Sequence, residues 1–333
     1  MKSAFSSIAP APETMSLTGA TGFLGWHLAE AFRDGGWHVR AIVRPGSAKP
    51  LPEGIHRVEA ALAPADAAAL AAAIDGSALV VHNAGIIRAA RPSAFDAVNV
   101  GGTRAVVEAA NRAGARLILV SSQAAAGVGS PLRPSREGDP PRPLTAYGHS
   151  KLGAEDVVRS TAGVPWTVLR PSAIYGPRDH GFLPLFRLAS RGLFLQVARP
   201  TAQFTLTYVH DVVRAVVLAA DDARAAGETL FVGQAPAYPA EALLQSLAAV
   251  FGRRYRPLRV PAAALRVAAL AGELSWKVGR QPLIDAARLN ELRAEGFVCA
   301  VDRARSVLGF SAAVTLPDGI ERTARWYRDQ GWI

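Results

Sequence analysis

Eight residues, Thr18-Gly19-Ala20-Thr21-Gly22-Phe23-Leu24-Gly25, constrain the fold of this chain more than any others. The apolar run Met15–Leu17 leads into them, and the helical apolar spacing of Phe23–Arg33 leads away. The three glycines therefore occupy a strand-to-helix turn. Glycine there permits a tight reversal, lets a ligand approach the backbone, and allows the helix to pack close to the strand. The first amides of the helix have no partners of their own, and together with the helix dipole they favour an anion such as a pyrophosphate. The turn predicts a dinucleotide site.

The rest of the first half agrees. Short apolar runs at His38–Val43, His56–Ala60, Ala78–Val81, Arg116–Val120 and Trp166–Leu169 alternate with helical patterns at Ala65–Ile74 and Phe95–Ala113. Gly35-Gly36 and Gly114 stand where helices should stop. Such alternation predicts an α/β fold, a doubly wound parallel sheet of the Rossmann type. After about residue 175 the regularity fades, returns as a helix over 209–224 and a strand over 229–232, and becomes mostly helical from about 239. The expected organisation is a tail over 1–13 and a dinucleotide-binding domain over 14–176, rejoined by 205–232. A smaller, mostly helical substrate-binding part is expected over 177–204 and 233–333.

Composition narrows the class. Half of the 333 residues are hydrophobic and 19% are charged, enough for a large core and unlike a disordered chain. The single cysteine, Cys299, excludes an internal disulfide framework. The best apolar run, Val260–Leu270, is broken by Arg266 and is too short to span a bilayer. The opening stretch reads as a loose tail and not a signal peptide, so a cytoplasmic location is expected. The net charge is +10, but the arginines are scattered, with no consecutive basic block, so no nucleic-acid partner is expected. No His, Cys or carboxylate cluster has metal-ligand spacing, so no metal is expected.

Two further patterns carry chemistry. Tyr147 and Lys151 are four residues apart in a helical segment, hence on one face. An ammonium beside a phenol stabilises the phenolate, so Tyr147 is expected to titrate below its usual value near 10 and to exchange a proton with an alcohol or carbonyl oxygen. The apolar strand ending in Ser121-Ser122-Gln123 places hydroxyls at a strand carboxyl end, where parallel sheets bind ligands. Ser122 is expected to hold the reacting oxygen, with Gln123 beside it in contact with substrate. Past the second strand stands Arg44, with no acid between Asp34 and Glu53. Arg44 suits a 2′-phosphate, which favours NADP, with NAD as the alternative.

With these motifs the chain resembles the extended short-chain dehydrogenase/reductase (NAD-dependent epimerase/dehydratase) family. The glycine turn matches TGxxGxxG, and Tyr147 and Lys151 match YxxxK. Val81-His82-Asn83-Ala84-Gly85, Asn99-Val100-Gly101-Gly102-Thr103, Leu169-Arg170-Pro171 with Tyr175-Gly176-Pro177-Arg178, and Tyr208-Val209-His210-Asp211-Val212 resemble its other signatures. The resemblance implies Ser122 as the catalytic hydroxyl with Ser121 as backup, Lys151 on the nicotinamide ribose, and Pro171 beside the nicotinamide. It implies that Leu62, Asn83, Ala84 and Gly85 contact the cofactor, that Asn99 ties helix to strand, and that neither His82 nor a surface His149 is a general base. Ala61-Leu62 departs from an acidic-Leu pair, and Ser16 is unusual in the first strand.

The implied activity, closest to the 3β-hydroxysteroid dehydrogenase and dihydroflavonol reductase branches, interconverts a secondary alcohol and a ketone on a hydrophobic molecule. The alternative is a nucleotide-sugar epimerase or dehydratase with tightly bound NAD. A non-catalytic regulator usually lacks the Tyr or Lys that this chain keeps. Nucleotide-sugar members commonly carry an arginine where Phe204 stands, so an apolar substrate touching Phe204, Phe182, Phe186 and Leu206 is expected. The competing arrangement has Arg178, Arg187 or Arg199 binding a phosphate. The resemblance also implies a possible homodimer through the helices Asn99–Ala113 and Tyr147–Ser160.

Overall fold

The computed structural model describes residues 13–199, 202–280, 282, 284–294 and 296–333. Apart from Glu13, the expected tail lies outside the described residues. Seven strands form one sheet: β1 (Thr14–Thr18), β2 (His38–Val43), β3 (His56–Glu59), β4 (Leu79–His82), β5 (Arg116–Val120), β6 (Trp166–Pro171) and the later strand Glu228–Val232. Their order is Glu228–Val232, β6, β5, β4, β1, β2, β3, and every pairing is parallel. The order reverses between β1 and β4, which opens a crevice at the strand carboxyl ends.

Helices cover both faces. On one side lie α1 (Phe23–Asp34) and the helix Val209–Asp221, and on the other α2 (Ala67–Ile74), α4 (Gly102–Ala113) and α5 (Ala146–Thr161). Strand side chains alternate between the two layers: Ile118 and Val120 pack with Leu28 and Val212, while Leu117 and Leu119 pack with Val106 and Val158. Ser16, odd in an aliphatic strand, is fully buried and bonds the Ser77 hydroxyl at 2.9 Å and the Ala73 carbonyl at 3.3 Å. Its polar group is thereby satisfied, and it ties β1 to the end of α2.

The single helix expected over Phe95–Ala113 is instead three pieces. A short helix α3 (Pro92–Phe95) runs into a π-helical stretch, Asp96–Gly101, and then α4. Apolar periodicity does not register the extra residue that a wide turn admits, and such turns gather at functional sites. A third core on the substrate side gathers Tyr175, Phe186, Phe194, Leu247, Ile320 and Tyr327. Phe186 is fully buried there, edge-on to Tyr327 at 4.9 Å, and is therefore core and not pocket wall.

Candidate active site

The glycine turn is shaped for a phosphate. Gly19 has φ +77°, and a Cβ there would stand 2.8 Å from the Ala84 amide nitrogen. A Cβ on Gly25 would collide with the Gly19 carbonyl, so β1, β4 and α1 converge only because both are glycine. Helix α1 starts with Gly22 as its N-cap, no side chain caps it, and its first turn carries no acid. The amides at this end are thus left for a ligand, and an anionic one meets no competing carboxylate. The turn fits a dinucleotide pyrophosphate.

The crevice beside it is held by His82. Its Nε2 lies 2.9 Å from the Thr103 hydroxyl, which itself donates to the Asn99 carbonyl at 2.6 Å. Thr103 therefore accepts from Nε2–H, and the bare Nδ1 accepts from the Thr18 hydroxyl at 2.7 Å. Thr18 Oγ1 in turn accepts the amides of Asn83 and Ala84 at 3.2 and 3.0 Å. Burial, and secondarily the Lys151 charge, push His82 down to about 3, so it is a neutral clamp across the sheet.

Helix α5 presents Tyr147 in its first turn. The Thr145 side chain caps it by accepting the Gly148 amide at 3.2 Å. Gly148 is the only residue type that fits there, because a Cβ would stand 2.5 Å from the Ala124 carbonyl oxygen. This close approach brings α5 against the turn that follows Ser122. One turn on, buried Lys151 donates from Nζ to the Val120 carbonyl at 2.7 Å. Burial draws Lys151 down to about 8, partly opposed by the Glu155 charge. Burial also pushes the Tyr147 phenol up to about 12, against the pull of the Ser122 hydroxyl and aided by the Glu291 carboxylate. The expected lowering of Tyr147 by Lys151 is thus corrected: desolvation of the phenolate governs the shift, and the ammonium is directed to Val120. Beside them Asn99, in the π-helical stretch, accepts the Ile86 amide at 2.8 Å and donates to the Ile86 carbonyl and the Ser150 hydroxyl.

The sequence reading favours Ser122, with Ser121 as backup, and the two serines have different partners. Ser121 is buried and donates to Glu155 Oε1 at 2.5 Å. Ser122 accepts the Ala124 amide at 3.1 Å, and its hydroxyl is near enough to Tyr147 to pull the phenol's pKa down. Glu155 was not anticipated. It is fully buried and receives a two-pronged contact from buried Arg170, at 2.9 and 2.7 Å, and a third from Arg159 at 2.7 Å. Burial opposes its ionisation, but Arg170, Ser121 and Arg159 together hold its carboxyl below the usual range. The signal was present: Glu155 follows Lys151 by four residues on the same helical face, and Arg170 lies in the LRP motif.

The remaining residues scatter around this centre. Arg44 is exposed just past β2, at the same strand-end rim as the glycine turn. Leu62 packs toward Gly102 at the start of α4, and Pro171 ends β6 opposite Val232. Gln123 is 3% exposed and its Nε2 finds no partner among the described residues. Phe204 is half-buried in the short strand Gln203–Phe204, between Tyr238 and Phe297. Half-buried Phe182 packs on Tyr175, ring centres 6.2 Å apart. Two arginines weighed as phosphate ligands are engaged elsewhere: Arg178 lies over the Trp26 ring at 3.6 Å, and Arg187 donates to the Trp332 carbonyl.

Residues 15–233 match the model of the NAD-dependent epimerase/dehydratase family. The chain belongs to that family. It is an NAD(P)-dependent enzyme of the extended short-chain dehydrogenase/reductase type. It is 32% identical over 323 residues, covering 96% of both chains, to the ceramide reductase of Caulobacter vibrioides. It is 27% identical to a 3β-hydroxysteroid dehydrogenase/Δ5→4-isomerase of Mycobacterium tuberculosis, covering 93% of this chain and 89% of that one. Among solved structures, MoeE5 in complex with UDP-glucuronic acid and NAD superposes with a TM-score of 0.75 at 26% identity, over 95% of this chain and 99% of that one.

Proposed function

We propose that this enzyme interconverts a secondary alcohol and a ketone on a hydrophobic small molecule, with NADP as its preferred dinucleotide. The observation that carries the substrate class is Phe204. It stands where nucleotide-sugar members commonly place an arginine, and it joins an apolar cluster with Phe182, Tyr238 and Tyr208. A diphosphate placed beside that cluster would lose its hydration with no donor from Phe204 in return. The names of the relatives, a ceramide reductase and a steroid dehydrogenase, support the same class.

When bound, the dinucleotide supplies or accepts a hydride. In this reading Ser122 holds the substrate oxygen and Tyr147 exchanges a proton with it. A phenol pushed up to about 12 stays protonated at neutral pH, which suits it to protonate a carbonyl oxygen. Lys151 holds the ribose, Pro171, Leu62, Asn83, Ala84 and Gly85 border the cofactor, and Gln123 offers its free amide to substrate. Arg44, with no acid near it in sequence, would pair with the 2′-phosphate. The same reading includes a cytoplasmic location and a homodimer through α4 and α5.

The second reading, a nucleotide-sugar epimerase with tightly held NAD, is favoured by the likeness to MoeE5. Calorimetric titration with UDP- and dTDP-sugars in the presence of NADP decides between them, alongside turnover of long-chain ketones followed by nicotinamide absorbance. Ketone turnover without sugar-nucleotide binding is expected. Binding of any sugar nucleotide with a Kd of about a micromolar would establish the epimerase instead.

A further inference from the structure

We propose that the outer face of the helix Ala262–Lys277 docks the enzyme onto an anionic lipid bilayer. This helix meets the rest of the protein along a narrow stripe, Leu265, Ala269 and Gly272, packed on Leu289, Val197, Val260 and Ile284. Gly272 permits the contact, because a Cβ there would collide with the Ile284 carbonyl. The opposite face is also apolar. Val267, Leu270, Leu274 and Val278 recur at three- and four-residue intervals and are 66%, 66%, 61% and 72% exposed. A water-facing side needs no such stripe, and leaving it bare has a cost that a bilayer interface removes.

Charge selects the occupant. Between Arg254 and Arg280 the chain carries six basic residues, Arg254, Arg256, Arg259, Arg266, Lys277 and Arg280, and one acid, Glu273. All six are exposed, as is Leu258 (59%) among them. An apolar stripe flanked by cations is the pattern of a helix lying in an anionic interface, where each basic side chain near the surface strengthens binding about fivefold. A second copy of this chain would bring the same positive charge against itself. The same helix also adjoins the active site from its buried side. The helix Ala286–Arg293 packs on the inner stripe through Leu289 and carries Glu291, within electrostatic reach of Tyr147. Arg88, just past β4, donates to the carbonyl of Pro282 in the connection between the two helices. Docking therefore sets the site beside the bilayer, the phase from which an apolar substrate would come.

The test needs neither substrate nor cofactor, so it is independent of the proposed activity. The full-length enzyme is sedimented with vesicles of phosphatidylcholine alone or mixed with phosphatidylglycerol, at low and high salt. Wild type should partition onto the anionic vesicles, at least ~tenfold less onto the zwitterionic ones, and be released by salt. Leu270→Asp/Leu274→Asp should partition at least ~tenfold more weakly onto the same vesicles, with circular dichroism and Tm unchanged because both side chains are exposed. Wild type left in the supernatant overturns the proposal, as does a double variant that partitions like wild type. A wild-type dimer that the double variant converts to monomer overturns it too, assigning the face to a second copy.

Discussion

Replacing Arg170 by Met tests the buried network behind Tyr147 and Lys151. Arg170 is 3% exposed at its side chain and Glu155 is 0%, and the guanidinium contacts both carboxylate oxygens at 2.9 and 2.7 Å. The variant leaves Glu155 with the Ser121 hydroxyl and exposed Arg159. Removing one partner of such a pair costs about 3–5 kcal/mol, because the other charge stays buried. With about 2.1 cal/mol/K of unfolding entropy per residue over 333 residues, near 0.7 kcal/mol/K in all, Tm should fall by about 4–7 °C. In the wild type the Glu155 pKa is depressed, so its contribution is present above the unfolded value and is lost as pH falls. In the variant burial raises it, so the deficit should be largest at neutral pH and shrink on acidification. Urea unfolding at pH 7.5 and near pH 4.5, for Arg170→Met and for Arg170→Met/Glu155→Leu, reads both effects, and the double variant should recover most of the loss. A single-variant cost below about 1 kcal/mol, or a double variant no better than the single, would refute the account.

Three further outcomes are expected. Tyr147→Phe should keep dinucleotide affinity while turnover drops roughly 10²-fold or more, whereas Lys151→Met should harm both; full turnover in the Phe variant removes Tyr147 from the chemistry. Wild type should bind NADP about ten- to a hundredfold more tightly than NAD, and Arg44→Ala should erase the difference in a fluorescence titration; equal wild-type affinities contradict the 2′-phosphate contact. Because His82 falls from 6.5 to about 3 on folding, the unfolded chain binds the extra proton, so stability declines as pH drops below 6.5, by up to about 4–5 kcal/mol near pH 3. His82→Gln should flatten that slope in unfolding curves from pH 7 to 5, and an unchanged slope would show that other groups dominate.

Much of the framework was legible in the residues themselves. The glycine turn, the strand–helix alternation and the four-residue step from Tyr147 to Lys151 are local, set by backbone sterics and helical periodicity. The return of the chain to the sheet at Glu228–Val232 was readable too, because a buried parallel strand shows as a short apolar run. What local pattern does not encode is which groups meet across the sheet and lose their water. Nothing in the sequence distinguished Ser121 from Ser122 by the carboxylate that one of them reaches. Apolar spacing showed Phe186 as apolar without revealing that Tyr327 would cover it, and showed Val260–Leu270 as a broken run without revealing which side of its helix would stay bare. The Tyr147 phenol is the sharpest case. Spacing placed the ammonium nearby and predicted a lowered pKa, but tertiary packing stripped water from the half-buried phenol, turned Lys151 toward Val120 and raised it. Burial and long-range partners set the sign of such shifts, and both exist only once the chain has folded.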